Sequence, residues 1–300
     1  MHEDQVSIDL ATVRSLIRDQ FPVLANEPVR RLPTNGTVNA IFRIGDRHAA
    51  RFPLRSEAPA TRVESLRSEA AAMTEMAQHC RFPTPTPVFV GCSGNSYPMP
   101  WTIQTWISGD VATPTGLAAS TLLADDLVLL IEALRATETR GRTFSGEGRG
   151  GDLPDHDNWM NHCFQESEGL LDVARLRMTW DRLRELPAAG DDVMSHCDLT
   201  PANLLVDGEH LVGVIDGGGF SPADPSLDLV AAWHLLDRDA RQAVRNGLDC
   251  SYNEWRRGAA WAFQQAMGLV WYYQHTNPGM AALGRTTLQR ILNDIEIQAL

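Results

Sequence analysis

Apolar residues recur at two different periods along this chain, and the change from one to the other falls near residue 108. Before it, short apolar runs end in turn signals. Val29 to Pro53 reads as three strands, with turns at Asn35-Gly36 and Gly45-Asp46 and the third strand over Arg47–Phe52. Val88–Gly91 and Thr102–Ile107 read as two more, with a turn at Ser93–Asn95 between them. Two helical patterns interrupt the strands. One covers residues 8–20 and stops at Phe21-Pro22; the other covers 61–78, where Val63, Leu66, Ala70, Met73 and Met76 line one face. After Gly109 helical spacing dominates, over 122–137, 158–168, 176–186 and most of 226–300, with Pro278 as an internal break. The exceptions are a glycine-rich loop at 140–152 and two short strands that turn at Asp207-Gly208 and end at Ile215. The expectation is an α+β chain of two lobes, a small antiparallel-sheet lobe over 1–107 and a larger helical lobe over 108–300.

Charge and cysteine use narrow the chemistry. The 300 residues carry 26 basic and 38 acidic side chains, a formal charge of −12. Nucleic-acid affinity rests on neutralising phosphates, so that class of partner is disfavoured. All the basic residues are arginine; lysine does not occur, which excludes Schiff-base chemistry on a lysine amine. Cys80, Cys92, Cys163, Cys197 and Cys250 form no CxxC pair and are odd in number, so neither a disulfide framework nor a structural zinc site is expected. The acidic, amphipathic opening is no signal peptide, and no apolar run reaches the length of a membrane span. A soluble, cytoplasmic protein without a membrane partner is the expectation; the sequence leaves monomer and dimer open.

The segment that carries chemistry is His196-Cys197-Asp198-Leu199-Thr200-Pro201-Ala202-Asn203, followed eighteen residues after Asp198 by Asp216 at the end of an apolar strand. Phosphoryl transfer asks a protein to orient a hydroxyl, hold magnesium and neutralise phosphate charge. A carboxylate on a tight loop can accept the hydroxyl proton. An asparagine five residues on, past a proline that stiffens the loop, can offer an oxygen to magnesium, and a second carboxylate after the strand can bridge metal and phosphates.

The pattern H-x-D-x-x-x-x-N followed by an apolar strand and I-D-G resembles the protein-kinase-like fold. The longer string HCDLTPANLLVDGEHLVGVIDGGGFSPADPSLDLVAAW resembles the aminoglycoside phosphotransferase family, which includes antibiotic, macrolide, choline and fructosamine kinases. NGTVNAIFRIGDRHAARFP and WTIQTWISGD are similar to that family's nucleotide-covering turn and to its lobe-joining segment. The resemblance implies that 1–107 binds the nucleotide, ATP or GTP, and that 108–300 holds the catalytic and substrate sites. It implies Asp198 as the group that orients or deprotonates the acceptor, and Asn203 and Asp216 as Mg2+ ligands. Asn35, Gly36 and Thr37 would cover the triphosphate through backbone amides. Gln104, Thr105 and Trp106 would offer backbone groups to the nucleobase. Glu69 would pair with the basic residue of the third strand, here Arg51 where the family has lysine. His196 would be structural, and Asp228 would brace the catalytic loop from a following helix.

Arg51 keeps the positive charge with a phosphate-matching fork, although arginine is no simple replacement for lysine. Three glycines follow Asp216 where a regulatory aromatic would stand, which suits a small-molecule kinase without an activation-loop switch. Acidic residues, among them Asp155, Asp157 and Asp224, would draw a cationic acceptor, and Trp233 would help wall the site. The leading expectation is therefore an aminoglycoside-like antibiotic as substrate, with a resistance role. The alternatives are a macrolide or basic-peptide antibiotic kinase, a metabolic kinase of the choline, homoserine or fructosamine type, and a catalytically dead nucleotide-binding module.

Overall fold

A computed structural model describes residues 6–33, 39–55 and 59–299. Helix α1 (Leu10–Gln20) opens at Asp9, whose carboxylate accepts the Thr12 N–H, and buries Val13, Leu16 and Ile17. Five strands follow: β1 (Val29–Arg31), β2 (Asn39–Ile44), β3 (His48–Pro53), β4 (Pro87–Gly91) and β5 (Trp101–Thr105). They form one antiparallel sheet in the order β1-β2-β3-β5-β4, with helix α2 (Pro59–His79) between β3 and β4 in the chain. Five strands and two helices therefore stand where the apolar pattern put them, each within a few residues. The described residues of Met1–Gln78 and Pro83–Ser108, together with Asp216–Gly218, make up the first of two structural units.

Aromatic packing holds this unit. Phe52 stacks on Trp101 at 4.6 Å between centroids and meets Phe42 and Tyr97 edge-on. The Trp101 indole lies so close to β4 that a Cβ on Gly91 would come within 2.3 Å of it, so only glycine fits there. The Tyr97 hydroxyl donates to the Pro53 carbonyl at 2.7 Å and Trp101 Nε1 to the Cys92 carbonyl at 3.1 Å, which satisfies both polar atoms of an otherwise apolar cluster.

The second unit comprises His79–Phe82, Gly109–Ile215 and the described part of Gly219–Leu300. Its elements are β6 (Asp110–Val111), α3 (Pro114–Leu117), α4 (Thr121–Arg135), α5 (Asp157–Glu166), α6 (Val173–Leu183), β7 (Val193–Ser195), β8 (Leu204–Asp207), β9 (His210–Val214), β10 (Ser221–Ala223), α7 (Val230–Leu235), α8 (Arg238–Gly247), α9 (Tyr252–Tyr272), α10 (Pro278–Leu292) and α11 (Ile295–Gln298). Pro278 opens α10 rather than breaking a helix, as its fixed φ and missing N–H allow at a first turn. The hairpin β8–β9 is joined by β6 in a three-stranded sheet, and β7 pairs with β10. The short strands β6, β7 and β10, two or three residues each, have no readable period, and the sequence does not announce them. Among the described residues, no helix is long and apolar enough to cross a membrane.

Helix α9 is the axis of the second core: Trp255, Trp261, Phe263, Met267 and Val270 are all buried along it. Trp233 is fully buried against Trp255, with the Arg241 guanidinium 4.4 Å from its ring centroid. The core encloses His234, whose Nε2 donates to Gln265 Oε1 at 3.0 Å and whose Nδ1 accepts from the Thr287 hydroxyl at 2.8 Å. Burial pushes this imidazole down to about 4 from an ordinary 6.5; the Gln265 bond opposes that shift and the nearby Arg290 adds to it. The folded state thus holds the neutral ring. Its stability is whole above pH 6.5 and falls as the pH drops toward 4, because unfolding frees the ring to take a proton. Urea unfolding should show the wild type losing about 2 kcal/mol more than His234→Gln between about pH 7 and pH 5; equal losses would exclude His234 as the acid-sensitive group.

Candidate active site

A buried carboxylate sets the loop that carries Asp198. Asp228, on a short 3-10 turn (Leu227–Leu229) just before α7, accepts the Ser195 hydroxyl at 2.9 Å and the His196 N–H at 3.0 Å. Burial raises its proton affinity, while His196 and those bonds oppose the rise. The Ser195 Oγ also accepts the Cys197 N–H at 3.0 Å, so one side chain ties β7 to the loop that follows. The His196 ring donates from Nε2 to the Ile215 carbonyl at 3.0 Å, and Ile215 N–H donates to the Asn203 carbonyl at 2.9 Å. His196 is fully buried and acts as a strut.

Cys197 takes the left-handed backbone, φ 66°, uncommon for a residue with a side chain. The kink delivers Asp198 at the loop surface, with 44% of its side chain exposed. Burial raises the Cys197 thiol's proton affinity, so it stands as a neutral packing group, not a nucleophile. The chain then makes a tight turn at Pro201–Asn203, and the Asn203 amide donates from Nδ2 to the Asp198 carbonyl at 2.8 Å and to its Oδ2 at 3.2 Å. The predicted pair Asp198–Asn203 is therefore assembled. Donation through Nδ2 leaves the Asn203 carbonyl oxygen as an acceptor for a cation.

In the first unit, Asp216 also adopts a left-handed backbone, φ 65°. Its Oδ1 accepts from the Arg51 guanidinium at 2.8 Å. The family resemblance pairs Arg51 with Glu69; the pair that forms is Arg51–Asp216. Glu69 instead accepts from Arg62 at 3.2 Å and from the Ser65 hydroxyl at 3.3 Å, both on its own helix face. The long guanidinium fork reaches the carboxylate of Asp216, whereas Arg62 lies two turns from Glu69 and occupies it in place of Arg51. The glycines after Asp216 have a packing reason. A Cβ on Gly217 would sit 2.4 Å from Met76 Sδ, and one on Gly218 3.3 Å from Glu69.

Gln104, Thr105 and Trp106, the residues expected to face a nucleobase, lie at the end of β5 and just past it. The Thr105 N–H donates to the Thr86 carbonyl at 3.0 Å and the Trp106 N–H to the Arg47 carbonyl at 2.8 Å, and Gln104 is paired within the sheet. Those amides are spent, so their carbonyls and the chain beyond Trp106 are what remain. Asn35, Gly36 and Thr37 lie outside the described residues.

Of the acceptor-site candidates, two are structural. Asp224 is buried, pairs with Arg257, and accepts from Trp261 Nε1 at 3.1 Å and the Ser226 N–H at 2.8 Å. Its charge is consumed because an unpaired carboxylate could not stay buried there. Trp233 is core, as described above. Asp157 is held by Trp180 Nε1 and Arg184 Nε, each at 2.9 Å, on the first turn of α5. Asp155 is exposed.

A residue that sequence reasoning misses meets Asp198. Arg149 donates from Nη2 to Asp198 Oδ1 at 2.6 Å. Its only signal in sequence is an arginine set among glycines in SGEGRGG. Its place is fixed by Gly150, whose carbonyl accepts the Asp224 N–H at 2.7 Å and whose φ is +121°. A Cβ there would come 2.6 Å from Ala223 Cβ. The buried Asp224–Arg257 pair thus anchors the loop that presents Arg149. Tyr273, just past α9, lies within electrostatic reach of Asp198; burial, then Tyr272 and that carboxylate, raise its phenol.

The side-chain oxygen of Asn203 in the second unit and the carboxylate of Asp216 in the first are each, by themselves, oxygen donors of the type that magnesium takes. Among the described residues, no three His, Cys, Asp or Glu side chains gather as a metal cage.

Comparison with known proteins gives a single family model, the phosphotransferase enzyme family, over residues 29–261. No curated protein matches the sequence. Solved structures do. The GDP complex of wild-type aminoglycoside 2'-phosphotransferase-IIIa aligns with a TM-score of 0.67 at 15% identity, covering 94% of this chain and 98% of that one. Macrolide 2'-phosphotransferase MphH from Brachybacterium faecium, as apoenzyme, aligns at 0.62 and 15% identity, over 93% and 97% of the two chains. The streptomycin-ATP-APH(2")-IIa ternary complex aligns at 0.60 and 17% identity, over 95% and 97%. At these identities the likeness shows a shared fold.

Gly150→Ala should cost about 1–3 kcal/mol of unfolding free energy in urea, through strain at positive φ and the clash with Ala223; an unchanged midpoint would mean that the loop is not seated through this residue.

Proposed function

The chain belongs to the phosphotransferase enzyme family, and from that membership we propose that it transfers the γ-phosphoryl group of ATP or GTP to a hydroxyl of a small molecule. The observation that carries the reading is Asp198: a half-exposed carboxylate on a loop locked from beneath by buried Asp228 and His196. A base that is rigidly backed and open in front suits the task of receiving an alcohol. As the acceptor oxygen forms its bond to phosphorus, its proton passes to an Asp198 oxygen. The bond from phosphorus to the bridging oxygen breaks, and its electron pair leaves with the nucleoside diphosphate. Asn203 and Asp216 would hold magnesium, which supplies charge neutralisation on the phosphates. Arg51 would keep Asp216 oriented and add a positive charge on the nucleotide side. The first lobe, 1–107, serves the nucleotide and the second, 108–300, the acceptor.

For the acceptor we retain the aminoglycoside-like antibiotic, with Asp155 as the remaining exposed carboxylate of the acidic set. A second reading, a macrolide-like acceptor with an apolar face, is favoured by a run of aromatic rings. Trp159 lies 6.1 Å from Trp271, Trp271 5.7 Å from Tyr272 and Tyr272 4.9 Å from Tyr273, with Trp159 and Tyr272 partly exposed. Such rings bind an apolar ring face and leave their polar edges to water. Aminoglycosides and macrolides, with amino alcohols and sugars beside them, form the test panel.

Turnover of Mg-ATP or Mg-GTP with one panel member is expected from the purified protein, and Asp198→Ala should lower kcat about 10³-fold with an unchanged thermal midpoint. Silence across the panel with both nucleotides would overturn the reading. Arg51→Ala should raise the nucleotide KM about tenfold and leave the acceptor KM alone; a nucleotide KM equal to that of the wild type would remove Arg51 from the site.

A further inference from the structure

We propose that Arg149 is the cation that stabilises the transferring phosphoryl group. The inference rests on the reading of Asp198 as the base that receives the acceptor hydroxyl.

Phosphoryl transfer spreads negative charge over the equatorial oxygens of the moving group, and a guanidinium aimed at them lowers the barrier. The catalytic loop from Asp198 to Asn203 contains no cationic residue, and the chain has no lysine to lend. Arg149 fills that need from a different segment. Its Nη2 lies 2.6 Å from Asp198 Oδ1, at the atom where the acceptor's proton would arrive. Its Nε is buried without a hydrogen-bond partner, so the guanidinium is only half used in this state.

The surroundings explain how it can be held there and still move. Its backbone neighbour Gly150 is pinned to Asp224 through a 2.7 Å bond, while its side chain faces the open side of the loop, 31% exposed. His156 lies within its electrostatic reach. Burial first, and then Arg149, lower that imidazole's proton affinity, while Asp155 and Asp157 oppose them, so His156 stands neutral and does not compete for the guanidinium as an anion would.

The reaction itself supplies the trigger. In the resting enzyme Asp198 is an anion and Arg149 is its counter-ion. When Asp198 takes the acceptor's proton it becomes neutral, and the charge-assisted half of the pair is lost. The charge then resides on the phosphoryl oxygens, in the direction from which the proton came. Arg149 follows the charge from the carboxylate to the phosphoryl group. The lattice of bonds behind it (Gly150 to Asp224 to Arg257) gives it a fixed pivot.

The test uses aluminium fluoride, which with a nucleoside diphosphate and magnesium mimics the phosphoryl group in flight. Calorimetry compares Mg-ADP or Mg-GDP, whichever the wild type binds tighter, with and without aluminium fluoride, for wild type, Arg149→Met, Arg149→Lys and Asp198→Asn. Wild type should gain about tenfold or more in affinity from the fluoride. Arg149→Met should keep the diphosphate affinity and lose that gain, Arg149→Lys should recover part of it, and Asp198→Asn should retain it. An arginine that only positions Asp198 would leave the gain intact in Arg149→Met, and that result overturns the proposal, as does a wild type that binds diphosphate but gains nothing from fluoride. A wild type that binds neither diphosphate overturns the kinase reading itself. Thermal melts of all four proteins report folding. In turnover, Arg149→Met should lower kcat about 100-fold with the nucleotide KM little changed, and guanidinium ion added to Arg149→Ala should restore part of the rate.

Discussion

The buried carboxylate of Asp228 is the interaction on which the site depends. It sits beneath the catalytic loop and accepts two hydrogen bonds, one from Ser195 and one from the His196 backbone. Buried charge is costly unless such donors surround it, and here the donors are the loop itself. The His196 ring repeats the arrangement from the other side through the Ile215 carbonyl. With both in place, the chain can tolerate a left-handed cysteine at position 197, and that kink is what turns Asp198 outward. Strain at Cys197 and the outward placing of Asp198 are therefore one feature, held by the buried carboxylate of Asp228.

A second buried carboxylate has the same role further from the loop. Asp224 looks in sequence like a member of an acidic rim. In the fold it is enclosed by Arg257, Trp261 and Ser226, and its backbone N–H reaches Gly150. Part of the acidity of this region thus serves the fold, although Asp152, Asp155 and Asp191 are exposed. Asp157 is tied to Trp180 and Arg184, and Asp192 accepts the Phe144 N–H at 2.7 Å. A negative formal charge is a poor guide to a cationic substrate when so many carboxylates serve the fold. The neutral surface of this part of the fold includes an aromatic run along Trp159, Trp271, Tyr272 and Tyr273.

The absence of lysine reshapes the ion pairs as well. With arginine on β3, the fork reaches Asp216, and Glu69 turns to Arg62 on its own helix. Both carboxylates expected to carry chemistry, Asp198 and Asp216, have a guanidinium on them, Arg149 in one case and Arg51 in the other. Each guanidinium balances the negative charge of its carboxylate, and each lies at the distance of a charge-assisted hydrogen bond.

Sequence alone determined what is local. The short strands before residue 108 and the amphipathic face of α2 follow from neighbours a few residues apart, and the apolar pattern is legible for that reason. The string from His196 to Asn203 was legible too, because a loop that must place a carboxylate and a carboxamide five residues apart has few ways to be written. The strands β6, β7 and β10 were not, since two or three residues carry no period. Partner choice belonged to the tertiary structure. It decided which arginine meets which carboxylate, that Asp224 and Trp233 are buried, and that Arg149 stands against Asp198. Asp224 and Arg257 are 33 positions apart in the chain, and Arg51 and Asp216 are 165. Coulomb attraction acts on distance in space, and only folding sets that distance.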